Sequence, residues 1–437
     1  MSLKRLGRVG LALVTLLALG AGCSGGGSTV ATTPIVLDYW RVFDDEQAFT
    51  DIIKGYQAMH PNVRINYRRL RAEEYESELV RAFAEGRGPD IFAVHNTKLG
   101  EFQSLLQPMP ASVTTSFQEQ VGSLRKKVVS VNRELPTLSQ KALKQQYVDV
   151  VATDVIRSYQ ASPDVAPTEE IFGLPLSVDT MALYYNKELL NAAGIAEPPA
   201  TWDAFQAAVI KLTVVDADGK VTQSGAALGT TDNVERSADL LSLLMLQNGT
   251  VMTTGNAVTF NQIPKGTPEG LFPAVDAARF YTDFANPTKE VYSWNSDFAG
   301  SFEAFTNGQT AFFFGYSYHL PFIESAAPKL DFAIAKMPQI SGGRQVNVAN
   351  YWIEGVAKNS DASDYAWDFV QYAATAEQVP KYLTKARKPT ALRGLINTQL
   401  NDEGMGSFAE QILTATSWYK GRDADAMEKA LNDFADG

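Results

Sequence analysis

Short apolar runs alternate along this chain with stretches whose apolar positions recur every three to four residues, the signatures of buried strands and of helices packed by one face. The clearest stretch is Ile171 to Leu190. It predicts an apolar strand, a turn at Ser177, Val178 and Asp179, a second apolar strand from Ala182 to Tyr185, and a helix opening after Asn186. Strand and helix alternations precede it and the same alternation resumes beyond it, which places here the crossover between two α/β lobes. A chain that leaves one lobe and later returns forms a cleft. On pattern alone, the same run also describes a plain buried hairpin.

In the first lobe, Ile35 to Trp40 reads as a strand, and Asp44 and Asp45 precede a helix whose Phe49, Ile52, Ile53, Tyr56 and Met59 share one stripe. Trp40, Arg41 and Asp44 then occupy a strand-to-helix loop, the place where open α/β sheets gather ligands. Trp40 fits the core as well, and Asp44 fits a helix cap. Val63 to Tyr67 and Asp90 to His95 read as further strands around a helix from Ala72 to Glu85, so Asn96 emerges at a strand end. Val121, Leu124 and Val128, then Leu143, Tyr147, Val150, Val151, Val155 and Tyr159, fall at helical spacing and predict a helical insertion over 112–160.

Beyond the crossover, Thr201 caps a helix running through Leu212. Asp216-Ala217-Asp218-Gly219 opens like a calcium loop but lacks the later acidic ligand, and reads as a hairpin turn. Leu228 to Arg236 passes from a strand into the helix Ala238 to Gln247; its Asn233 and Glu235 fit a cleft lining, a cap or a surface ion pair equally. A helix ending at Gly308 leads into the strand Ala311 to Gly315, after which come Tyr316, Tyr318 and His319. A tyrosine ring packs on the apolar C–H patch of a pyranose while its hydroxyl bonds to sugar hydroxyls. Asn350, Tyr351 and Trp352 open the strand Ile353 to Ala357, a second crossover, and Trp418 and Tyr419 stand between the last two helices. Trp418 fits a ligand contact or helix packing.

Composition sharpens the picture. A chain of 437 residues with 45% hydrophobic content exceeds what one core usually holds, in keeping with two lobes. Lys4, Arg5 and Arg8, the apolar run Val9 to Leu19 and the small residues before Cys23 describe a signal peptide over 1–22, so the chain reads as exported. Cys23, the only cysteine, directly follows that site, in a pattern that resembles bacterial lipoproteins and implies lipid attachment there; 23–34 is then a flexible tether. Removing the leader takes the formal charge from −11 to −14, an acidic balance that argues against a nucleic-acid partner. The three histidines are scattered without metal spacing, and neither a cofactor nor a metal is expected.

Three motifs carry a resemblance over nearly the whole chain. Gly173 to Lys187, G-L-P-L-S-x-D-x-x-A-L-Y-Y-N-K, with P-P-A-T-W-D-A-F at Pro198 to Phe205 and G-P-D-I-F-A-V-H-N at Gly88 to Asn96, resembles the extracellular solute-binding proteins of carbohydrate ABC importers. That resemblance implies an α/β, two-lobed periplasmic-binding-protein fold of type II, hinged by crossover strands, with the ligand cleft between the lobes. The expected N-terminal lobe is 35–172 plus about 350–397, with the 112–160 insertion; the expected C-terminal lobe is 173–349 plus about 398–437. It implies reversible binding of a mono- or oligosaccharide by a monomer that delivers it to a membrane permease, with lipid-anchored placement at the outer face of the cytoplasmic membrane. The expected contacts are Trp40, Asp44, Asn96, Asp179, Asn233, Glu235, Tyr316, Tyr318, Tyr351, Trp352 and Trp418, with Trp352 as the main stacking platform. An exported carbohydrate-active hydrolase, or a binder of a polyol, sugar phosphate or peptide, are the alternatives.

Overall fold

The computed structural model describes residues 33–122, 127–255 and 257–436. The leader 1–22, Cys23 and all of the 23–34 tether except its last two residues lie outside them. Among the described residues no helix is long and apolar enough to cross a membrane.

Two five-stranded sheets organise the chain. In the first, Ile35–Val42 runs parallel to Val63–Leu70 on one side and to Ile91–His95 on the other, and Trp352–Val356 returns antiparallel to Ile91–His95 with Leu174–Pro175 at the edge. In the second, Ala182–Asn186 lies antiparallel between Thr310–Gly315 and Phe332–Ala335, and Val221–Ala226 and Val214–Val215 extend the other edge. A three-stranded ribbon of Ala415–Thr416, Asn347–Asn350 and Asp179–Thr180 lies between them in the chain's path. The chain thus crosses from sheet to sheet at 175–182, at 350–352, and again between the helices Val379–Ala386 and Gly406–Gln411.

Each sheet is sealed by helices whose apolar stripe follows from the sequence. Ala48, Phe49, Ile52, Ile53 and Tyr56 of the helix Glu46–Met59 are buried at i, i+3, i+4 and i+7 spacing, and they join Leu37, Phe92, Trp367 and Phe369 in the first core. Trp202, Phe205 and Val209 of Trp202–Leu212, capped by the Thr201 hydroxyl, join Phe312, Phe314 and Leu241 in the second. At the crossover, Asn186 caps the helix Lys187–Ala192 by accepting from the Leu189 amide. Gly173 is required just before it: a Cβ there would stand 2.5 Å from Ile353 Cγ2 and 2.7 Å from the Glu354 carbonyl oxygen.

The expected helical insertion over 112–160 is corrected by the structure. Ser112–Val121 and Lys127–Pro136 form an antiparallel hairpin, and only afterwards do the short helices Gln140–Gln146 and Asp149–Val155 appear, followed by the strand Ile156–Tyr159. Val113 and Thr115 turn inward at strand spacing. The hairpin is fastened to the helix Ser363–Ala373, where the Thr114 amide donates to Asp364 at 3.0 Å and the Ser116 amide to the Tyr365 hydroxyl at 3.1 Å.

Candidate functional site

The candidate side chains stand at strand ends in both lobes. On the first lobe, Trp352 pairs in register with His95 across neighbouring strands, and their rings meet edge to face at 5.3 Å. Trp352 is only half-buried and also meets Tyr75 at 5.9 Å and Phe43 at 6.1 Å. On the second lobe, Tyr318 is 38% exposed and stacks on the buried Tyr316 at 5.8 Å with 21° between the rings. The positive charge of the Arg236 guanidinium acts on both His95 and Tyr318. Burial pushes the His95 imidazole down to about 4, and Arg236 adds to that, so this ring is neutral at pH 7. It lies 2.7 Å from the Thr97 hydroxyl through Nδ1 and 3.2 Å from Asn350 Oδ1 through Nε2.

Behind Tyr318 lies a carboxylate that the sequence reading missed. Asp239 is buried in the helix Ser237–Gln247; it accepts from the Tyr316 hydroxyl at 2.7 Å and from Trp418 Nε1 at 2.9 Å, and Arg236 Nη2 approaches to 2.6 Å. Its signal was a lone acid in the apolar run S-A-D-L-L-S-L-L-M-L-Q. Glu354, alone in W-I-E-G-V, is of the same kind, and Asp154 is the buried one of the two acids in D-V-V-A-T-D-V. Glu354 accepts from Tyr39 at 2.7 Å and meets Arg41 at 3.2 Å; Asp154 accepts from the Tyr351 hydroxyl at 2.7 Å and from Ser417.

Asp44 does not cap the following helix, where Asp45 holds the N-cap position. It joins a buried set of charges instead, 3.1 Å from Arg41 and 2.9 Å from Lys388, and accepts from the Tyr382 hydroxyl at 3.0 Å. Burial opposes its ionisation, but Lys388 and Arg41 outweigh that and hold the carboxyl below its ordinary range. Asp179 is buried too, and burial raises it to about 7 against the hydrogen bonds from Ser317. Its Oδ2 accepts from the Ser317 hydroxyl at 2.6 Å and amide at 3.0 Å.

Of the expected contacts, Tyr318, Trp352 and Glu235 present surface to solvent. Glu235 Oε2 lies 2.9 Å from His319 Nε2. The others are occupied within the protein. Trp40 is buried beneath the Arg68 guanidinium at 4.5 Å. Asn96 is buried, donating to Ser417 at 2.7 Å and accepting from the Tyr351 amide. Asn233 holds its own loop, donating to the carbonyls of Asn295 and Phe298 and accepting from Trp294 Nε1. Tyr316, Tyr351 and Trp418 are buried with their polar atoms bonded to Asp239 and Asp154. Asp232 lines a separate surface cavity of about 530 Å³ with Thr230, Asn286 and Asp436. Among the described residues no group of three or more His, Cys, Asp or Glu side chains could hold a metal ion.

Ion pairs join the two lobes, Lys420 to Asp154 at 3.1 Å among them. Arg387, at the end of the helix Val379–Ala386, meets Glu324 of the helix His319–Ala326 through two contacts of 2.5 and 3.0 Å, and Lys98 reaches Asp425 at 2.8 Å.

The model of the bacterial extracellular solute-binding protein family matches residues 43–380, well over half of the chain. Among solved structures, a cyclo/maltodextrin-binding protein complexed with maltotetraose is similar with a TM-score of 0.66 at 17% identity, covering 93% of each chain. The cyclic alpha-maltosyl-1,6-maltose binding protein from Arthrobacter globiformis is similar with a TM-score of 0.66 at 19% identity, over 92% of this chain and 96% of that one. At such identities the likeness is one of fold, and the fold is the two-lobed periplasmic type. A candidate binding protein of Brucella abortus (strain 2308) is 21% identical over 172 residues, 39% of this chain; the chain spans about a third of the length of the curated relatives it matches, 33%.

Proposed function

Because the chain belongs to the family of bacterial extracellular solute-binding proteins, we propose that it binds a mono- or oligosaccharide reversibly between its lobes and delivers it unaltered to the membrane permease of an ABC importer. The observation that carries this is the pairing of exposed aromatic surface, Trp352 on one wall and Tyr318 on the other, with cations that already have partners. Arg236 is held by Asp239, and Lys388 and Arg41 by Asp44 and Glu354. A neutral, hydroxyl-rich ring with an apolar C–H face suits such a cleft. A sugar phosphate would call for a cation without a carboxylate beside it. Trp352, Tyr318 and Glu235 are the proposed direct contacts, with Asp44 and Asp179 at the floor.

Binding without chemistry is the better account because, of the four carboxylates a hydrolase could recruit, Asp44 is engaged with two cations, Asp179 with Ser317, Asp232 lies in a different cavity, and Glu235 pairs with His319. The proposal extends to lipid attachment at Cys23, which would keep a monomeric, exported binder beside its permease at the outer face of the cytoplasmic membrane. The solved neighbours support the sugar assignment through their ligands, maltotetraose among them.

The deciding experiment is a thermal-shift screen of the mature protein against neutral sugars, polyols, sugar phosphates and peptides, since a ligand that binds only the native state raises the melting temperature. Sugars are expected to shift it. Shifts with peptides or phosphorylated sugars alone would sink the proposal, and product formation from a shifting sugar would make the protein an enzyme. Radiolabelled fatty-acid incorporation that survives C23S would refute the anchor.

A further inference from the structure

Phe43 holds a combination found at no other large apolar residue described here: 60% exposure and a backbone φ of +66°. Exposed phenylalanines are ordinary taken singly. A bulky side chain at positive φ is not, because its Cβ collides with its own backbone. The turn is tight as well, since the Asp44 amide donates to the Val42 carbonyl at 2.8 Å, closing a three-residue γ-turn with Phe43 at its apex.

What holds that conformation is on both sides of it. Arg41 and Asp44 pair at 3.1 Å across the turn; Arg41 is tied further to Glu354, and Asp44 to Lys388 and the Tyr382 hydroxyl. The Tyr67 hydroxyl donates to the Asp44 carbonyl at 2.6 Å. The Phe43 ring stands 6.1 Å from Trp352 at 71°. Two apolar faces set nearly at right angles make a corner at the carboxyl end of the first strand, where ligands of such sheets gather.

We infer that Phe43 is a ligand-contacting, specificity-determining residue: a strained finger that, with Trp352, forms an aromatic corner for the apolar face of a sugar ring, held in place by the Arg41–Asp44–Glu354–Lys388 charges. It rests on the carbohydrate assignment above. Local strain of this kind is kept where the surrounding structure over-determines it, and it concentrates at binding sites. Placing the ring in advance removes the ordering cost that a mobile aromatic would charge against affinity.

The test uses F43A and F43G in the mature protein, titrated calorimetrically with a panel from glucose and tagatose to mannobiose and maltotetraose, together with their melting temperatures. Both variants should bind the sugars that wild type binds about tenfold or more weakly. F43G should melt above F43A by about 2 °C, because only glycine tolerates the apex without strain; at an ordinary φ the order is reversed. Wild-type affinity in F43A, with wild type itself binding, overturns the contact while leaving the carbohydrate assignment standing. Wild type that binds no sugar of the panel overturns both. F43A melting above F43G overturns the strained finger.

Discussion

The Tyr316 phenol donates to Oδ2 of Asp239 at 2.7 Å, within a helix whose neighbouring positions are leucines and other small or apolar residues. One buried carboxylate thereby fixes the ring on which the exposed Tyr318 stacks, and holds Trp418 and Arg236 besides. Since breaking a buried charge network leaves its partners unsatisfied, D239N should lower the unfolding free energy by about 2–4 kcal/mol, with Arg236 left as an uncompensated charge. Urea denaturation measures this, and a loss below about 0.5 kcal/mol would show that Asp239 is not the anchor.

Trp352 should separate binding from stability. It is half-buried, so W352A is expected to weaken sugar binding about tenfold or more while W352F keeps most of the affinity, because stacking needs a flat face more than it needs the indole. Calorimetric titration with whichever panel sugar gives the largest thermal shift decides; equal affinity for W352A and wild type would remove Trp352 from the site.

Stability should respond to pH through His95 and Asp179 with opposite signs. The His95 pKa is depressed from its ordinary 6.5 to about 4, so the folded state binds fewer protons and the contribution is present above pH 6.5 and lost as pH falls toward 4. Asp179 is raised from 3.8 to about 7, so the folded state binds more protons and its contribution is present below pH 4 and lost as pH rises toward 7. Between pH 4 and 6.5 the two oppose each other. Relative to wild type, H95Q should lose stability with rising pH and D179N should gain it, each by at most about 1.4 kcal/mol per pH unit. Urea melts at pH 4.5, 5.5, 6.5 and 7.5 test it, and parallel curves for all three proteins would contradict both assignments.

The rim pair Arg387–Glu324 should be weak despite its double contact, because both side chains are more than 40% exposed. A double-mutant cycle of R387A and E324A should give a coupling of about 0.5 kcal/mol, shrinking in 0.5 M salt. A coupling above about 2 kcal/mol would mean the lobes are latched by this pair.

The hairpin at 112–136 shows where sequence periodicity misled. Val121 and Val128 fall at a helical interval, yet both are exposed on a two-stranded ribbon, and only Val113 and Thr115 mark its inner face by burial. A hairpin leaning by one face on a single helix buries too little to impose an apolar–polar alternation on its sequence. Asp44 illustrates the companion limit. An acid before a helix is compatible with a cap, and its actual partners, Arg41, Lys388 and Tyr382, include residues more than 330 positions away.

By itself, the sequence determined the crossover at Ile171 to Leu190, the Asn186 and Thr201 caps, the two-lobed α/β architecture and the family, because these rest on local periodicity, capping chemistry and contiguous motifs. Only the tertiary structure decided which aromatic rings are free. Tyr316 and Tyr318, two residues apart, differ in exposure because one phenol finds Asp239 across the lobe and the other does not, and Trp418 is buried against that same carboxylate. Phe43 stands between Arg41 and Asp44, whose partners Glu354 and Lys388 reach them only after the chain has crossed between its sheets and returned.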